Sequence, residues 1–232
     1  AQLDGRGLDL AVQPTAGRRK AVLLADMDST MIQQECIDEL ADEAGVGPRV
    51  AEITRRAMNG ELDFEGALRE RVGLLKGLPV SVIGKVLAER ITYTPGGREL
   101  IATMHANGGH AVLVSGGFTS FTGPVAAHLG FDENRANTLL SAEGLLTGEV
   151  AEPILGRAAK VAALEEISAR LGLAESDVIA VGDGAKPIYQ AANLEGSWGN
   201  EAVWVPSIAE ARELLSAELQ PGDIVLFKSS RD

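Results

Sequence analysis

The sequence predicts an α/β fold, a doubly wound parallel sheet with a helical cap inserted after its first strand. Short apolar runs recur at Ala21-Val22-Leu23-Leu24-Ala25, Ala111-Val112-Leu113-Val114 and Val178-Ile179-Ala180-Val181. Each is followed by acidic or small residues, and stretches of helical spacing lie between them. Strand after strand followed by helix is the pattern of a parallel sheet with right-handed crossovers.

Residues 1–20 read as a lead-in segment that lacks the apolar core of a signal peptide. From Gln33 to about Ile91 the spacing is helical, with Ile37, Leu40, Ala41 and Ala44 on one face and Gly45-Val46-Gly47 as a stop. Three or four helices fit there, with breaks at Asn59-Gly60 and Gly77-Leu78-Pro79. Further helices are expected over 98–106, about 121–129 and about 156–170, and a hairpin over 141–147 turns at Gly144. The run Ser115-Gly116-Gly117 reads as the turn that stops the second strand. Residues 202–205 and 224–227 are expected as the last strands, with a crossover helix over 207–219. The expected division is a core of 21–34 and 92–232, with a helical cap domain over 35–91.

A formal net charge of −12 over 232 residues argues against nucleic acid or an anionic membrane as the main partner. A small phosphate ligand needs only a few local positive groups and stays admissible. The single cysteine, Cys36, makes no internal disulfide and points to a reducing cytoplasm. No apolar stretch is long enough to span a bilayer.

Parallel strands would gather Asp26-x-Asp28, Ser115-Gly116-Gly117 and Gly182-Asp183-Gly184 at one sheet edge, where open α/β folds bind ligands. Asp26 and Asp183 then offer hard oxygen ligands to Mg²⁺. Ser115 and the Gly116 N–H offer neutral donors to phosphate, and Lys160 offsets negative charge. Blander readings stand beside these: an acidic loop capping the next helix, an ordinary glycine turn, and a solvated lysine. His105, His110 and His128 lack metal-ligand spacing.

Asp26-Met27-Asp28-Ser29-Thr30-Met31-Ile32, Glu35, Met58-Asn59-Gly60-Glu61-Leu62-Asp63-Phe64, Leu68-Arg69-Glu70-Arg71-Val72, Ser115-Gly116-Gly117-Phe118 and Lys160 resemble the phosphoserine phosphatases of the haloacid dehalogenase superfamily. The resemblance runs from about residue 8 to 177. It implies a haloacid dehalogenase-like Rossmannoid core and Mg²⁺-dependent hydrolysis of O-phospho-L-serine through an aspartyl phosphate. Asp26 would be the nucleophile, Asp28 the general acid and then base, and Thr30 a support for the loop. Ser115 and Gly116 would bind the phosphoryl group, and Lys160 would orient it. Glu35 and Arg71 would recognise the amino and carboxylate groups of serine, with Met58 and Phe64 lining the lid. Asp26, Asp28 and Asp183 would hold the metal.

The resemblance then breaks. After Gly182-Asp183-Gly184-Ala185 the family continues with Asn-Asp, where this chain has Lys186-Pro187. From about 178 to 232 the sequence resembles instead the carboxyl-terminal domain of the Mur ligase that adds D-alanyl-D-alanine. No Gly-x-x-x-x-Gly-Lys-[Ser/Thr] loop accompanies it, which argues against ligase activity. Beside the phosphatase stand two other expectations, a catalytically inactive phosphoserine-binding chimera and a ligase-derived interaction domain.

Overall fold

The alternation of inward-facing residues along a strand is filled on both sides here, as a parallel sheet covered by helices requires. The computed structural model describes residues 11–13, 19–174, 177–182 and 224–226. In chain order they form β1 (Ala11–Gln13), β2 (Val22–Ala25), a tight loop (Met27–Met31), α1 (Cys36–Glu43), α2 (Gly47–Met58), α3 (Phe64–Gly73), α4 (Ser81–Glu89) and α5 (Gly97–Ala106). There follow β3 (His110–Phe118), α6 (Thr119–Leu129), β4 (Glu133–Asn137), β5 (Leu139–Ala142), β6 (Leu145–Val150), α7 (Arg157–Leu171), β7 (Val178–Val181) and β8 (Ile224–Leu226).

The central sheet has the order β4-β3-β2-β7, with every pair parallel. Leu23, Ala25, Ala111 and Leu113 face a core completed by Ile101, Phe121 and the first helices. Val22, Leu24, Val112, Val114 and Val178 face the other way, onto Ala163, Leu164 and Ile167 of α7. Ile167 is fully buried, and burying an aliphatic side chain of that size contributes about 1.5–3 kcal/mol.

Five helices, α1 to α5, fill the span between β2 and β3 of this sheet. Asp63 caps α3, its carboxylate accepting from Gly66 N–H at 2.7 Å. The hairpin β5–β6 turns at Glu143 and Gly144, both left-handed (φ 52° and 79°), which suits the twist of a two-residue turn. That hairpin is sewn to the helices by backbone bonds: Gly77 N–H to Leu146 O at 2.8 Å, Leu146 N–H to Leu78 O at 2.9 Å, and Val80 N–H to Gly144 O at 2.9 Å.

Two expectations need correction. The residues Ser115-Gly116-Gly117 do not end the second strand, which runs on to Phe118 with a bulge at these positions, and α6 begins already at Thr119. Residues 224–226 form a strand but do not extend the parallel sheet; they pair antiparallel with β1, which satisfies the backbone of both short segments. The strand at 202–205 and the helix at 207–219 lie outside the described residues. Among the described residues no helix is long and apolar enough to cross a membrane.

Candidate active site

Asp26 stands at the carboxyl end of β2, and its backbone N–H donates to Val181 O at 3.0 Å, so β7 fixes it in place. Its Oδ1 accepts from Met27 N–H at 2.9 Å, and its Oδ2 pairs with the ammonium of Lys160. Lys160 lies in the first turn of α7, as its spacing predicts. The two side chains, Lys160 and Asp26, are only 14% and 16% exposed, so salt screens this pair weakly.

Asp28 follows on extended backbone, and Ser29 is left-handed (φ 51°), which turns the chain sharply after the second acid. The Cys36 N–H donates to Asp28 Oδ1 at 2.8 Å and the Ser115 hydroxyl to Oδ2 at 3.1 Å. Burial pushes the Asp28 carboxyl above its ordinary pKa, against the opposing hydrogen bonds from Cys36 and Ser115 and with help from the charge of Asp26. Raised affinity for a proton suits a group that must donate one.

The bulge explains the Ser-Gly-Gly sequence. Val114 pairs with Arg135 and Phe118 with Asn137, so three residues of β3 stand opposite one of β4. Gly117 N–H donates to Ser115 Oγ at 2.9 Å. A Cβ on Gly117 would come 2.6 Å from Asp28 Oδ2, and one on Gly116 would come 3.1 Å from Phe64 Cζ. A side chain at 117 would therefore have to displace the Asp28 carboxylate, while one at 116 would press on the Phe64 ring.

Glu35, Phe64 and Arg71, contributed by the segment around α1 and by α3, line the same cavity. Glu35 Oε1 accepts from the Ser29 hydroxyl at 2.6 Å, and burial raises its carboxyl. Arg71 donates to Ala67 O at 3.2 Å and to Thr54 Oγ1 at 3.4 Å; burial lowers its pKa, while Asp38 and Glu35 act in the opposite sense. The Phe64 ring sits between Gly116 and Gly156, each of whose hypothetical Cβ atoms would lie 3.1 Å from it.

Asp26, Asp28, Glu35, Phe64, Arg71, Ser115, Gly116 and Lys160 thus line one cavity of about 290 Å³. Met58 does not line it. It ends α2, whose apolar face buries Val50 and Ile53, and it is 85% exposed. Asp183 and Lys186 lie outside the described residues.

Asp26 and Asp28 present carboxylate oxygens, the hard donors that Mg²⁺ prefers, so the donor chemistry fits that ion. Among the described residues no cluster of three His, Cys, Asp or Glu side chains could hold a metal. Sequence reasoning missed Asn137, which is 2% exposed and bonds both the bulge and the segment before α7. It also missed Thr54 and Gly156. A polar residue ending a short strand carries no distinctive pattern, whereas a buried amide with paired donors and acceptors stands out in three dimensions.

The parallel sheet, the acids at its carboxyl edge and the helices above them define a hydrolase architecture, and the chain belongs to the haloacid dehalogenase-like hydrolase family, matched over residues 23–186. Relatives it resembles include phosphoserine phosphatases. The Streptococcus thermophilus enzyme is 48% identical over 169 residues, covering 73% of this chain and 78% of its own. That of Archaeoglobus fulgidus is 45% identical over 181 residues, covering 77% of this chain, which spans about half of the archaeal protein's length. A solved substrate-bound phosphoserine phosphatase complex is 42% identical with a TM-score of 0.68, covering 75% of this chain and 82% of that one.

Proposed function

We propose that this chain hydrolyses O-phospho-L-serine to L-serine and phosphate through an aspartyl phosphate on Asp26. The observation that carries the proposal is that one cavity gathers two sets of groups: Asp26, Asp28, Ser115 and Lys160, and with them Glu35 and Arg71. An Asp26 oxygen attacks phosphorus, and the bond from phosphorus to the serine oxygen breaks. Asp28 gives that oxygen its proton, then takes one from the water that attacks the aspartyl phosphate; phosphate leaves and Asp26 is restored. Lys160 and Ser115 hold and neutralise the phosphoryl oxygens, since phosphoryl transfer depends chiefly on positioning and charge. Glu35 suits an ammonium group, and Arg71 can grip a carboxylate with its fork.

Mg²⁺ would be held by Asp26, Asp28 and Asp183, and when bound it supplies positive charge to the phosphoryl oxygens. Residues 21–34 and 92–232 are read as the core and 35–91 as the cap domain. The ligase-like reading of 178–232 rests on its sequence alone. The relatives are named as enzymes, and no observation favours an inactive binding chimera or an interaction domain. A reducing cytoplasm suits the lone, buried Cys36.

The test is phosphate release from L-phosphoserine, with Mg²⁺ and with excess EDTA. Turnover should require the metal and vanish in Asp26→Asn. No release by the unaltered chain would sink the proposal.

A further inference from the structure

Asn137 joins two segments that line the cavity, the bulge at Gly116 and the approach to α7. Its Nδ2 donates to Gly116 O at 2.8 Å and to Leu155 O at 3.2 Å, while its Oδ1 accepts from Leu155 N–H at 2.7 Å. The bulge deprives Gly116 of a regular ladder partner on β4, and the amide of Asn137 takes that place. The peptide between Gly116 and Gly117 is therefore pinned at both ends, its carbonyl by Asn137 and its N–H by Ser115 Oγ. Ser115 passes the constraint on, donating to Asp28 Oδ2. The second arm runs from Leu155 through Gly156 into the first turn of α7, where Lys160 meets Asp26.

We infer that Asn137 is a positioning residue that sets the Ser115 hydroxyl and the Lys160 ammonium in register with each other around the phosphoryl group. This rests on the phosphatase reading for the identity of the anion but not for the geometry. No other natural side chain of this length offers two donors and an acceptor on one planar group. An aspartate in its place would turn a carboxylate toward two carbonyl oxygens, and a shorter side chain would reach only one arm.

The experiment compares Asn137→Ser and Asn137→Asp with the unaltered chain, each checked for folding by circular dichroism. With phosphoserine and Mg²⁺, kcat should fall on the order of 10- to 100-fold, as for a small misplacement of reacting groups. Inhibition by inorganic phosphate should weaken about as much, while inhibition by L-serine, held at Glu35 and Arg71, should change by less than about 2-fold. In a Ser115→Ala background the substitution should cost less than alone, because the arm through Ser115 is already lost and only the arm to Lys160 remains. Equal loss of phosphate and serine inhibition, full additivity with Ser115→Ala, or a lowered melting temperature with kinetics unchanged would each overturn the inference. If the unaltered chain is protected by phosphate but releases none from phosphoserine, the phosphatase reading fails, and phosphate protection of the variants decides the role of Asn137. Absence of phosphate protection in the unaltered chain overturns both.

Discussion

A Cβ placed on Gly182 would lie 2.6 Å from the Cβ of Asp26 and 2.8 Å from Thr30 Oγ1. Gly182 also has φ 106°, a backbone region that L side chains rarely adopt. Gly182→Ala should therefore cost about 1–3 kcal/mol of stability from the backbone alone. It should also cut turnover at least about 100-fold by displacing Asp26, the proposed nucleophile. Denaturant unfolding and phosphate release read the two effects separately.

Lys160 sets its positive charge directly against Asp26. Lys160→Met should lower kcat on the order of 100- to 1000-fold, the usual range for losing one preorganised charge-stabilising donor. Lys160→Arg should restore little, because a planar fork does not occupy the place of a compact ammonium. Steady-state kinetics on both variants checks the ordering.

Asp63 caps the helix that carries Phe64 and Arg71. Asp63→Ala should destabilise the protein by about 1 kcal/mol, a fall of about 2–4 °C in Tm for a chain of this size. Asp63→Asn, which keeps the acceptor oxygen, should recover most of it in a thermal melt.

Glu133 predicts part of the acid sensitivity. Burial works to raise its carboxyl, but the hydrogen bonds from Arg170 and His110, with the charge of Arg170, leave it below its ordinary pKa. The unfolded chain then binds more protons near pH 4, so this stabilisation is present above the unfolded pKa and is lost as pH falls through the folded one. Glu133→Gln should show a shallower loss of stability between about pH 5 and pH 3. Unfolding in urea across that range measures the slope.

The resemblance implies Asn and Asp at the positions that Lys186 and Pro187 hold in this chain. Restoring that pair should raise turnover by about 10- to 100-fold, the usual weight of residues that orient a metal site. An unchanged rate would show that the replacement is neutral.

Much of this is legible in the chain because the signals are local. An apolar run ending in Asp-x-Asp marks a strand and its carboxyl edge, and Gly144 between two short polar-apolar stretches marks a hairpin. Lys160 is readable as a first-turn residue because Gly156 and the spacing after it define the start of α7. What escapes depends on pairings far apart in sequence. The bulge at Ser115-Gly116-Gly117 exists only because β4 offers one residue opposite three, and no property of the triplet itself announces that. The motif around Met58 suggests a place beside the cavity, but the outward face of α2 is decided by what Val50 and Ile53 pack against.

The seam between the β5–β6 hairpin and Gly77–Val80 bears on how product departs. Three main-chain bonds, each contributing about 0.5–1.5 kcal/mol net, would have to break together for α1–α4 to swing away as a unit. On the proposed phosphatase reading, the way out for product then lies at side chains such as the Phe64 ring, seated between two glycines, while the hairpin holds the helices in place.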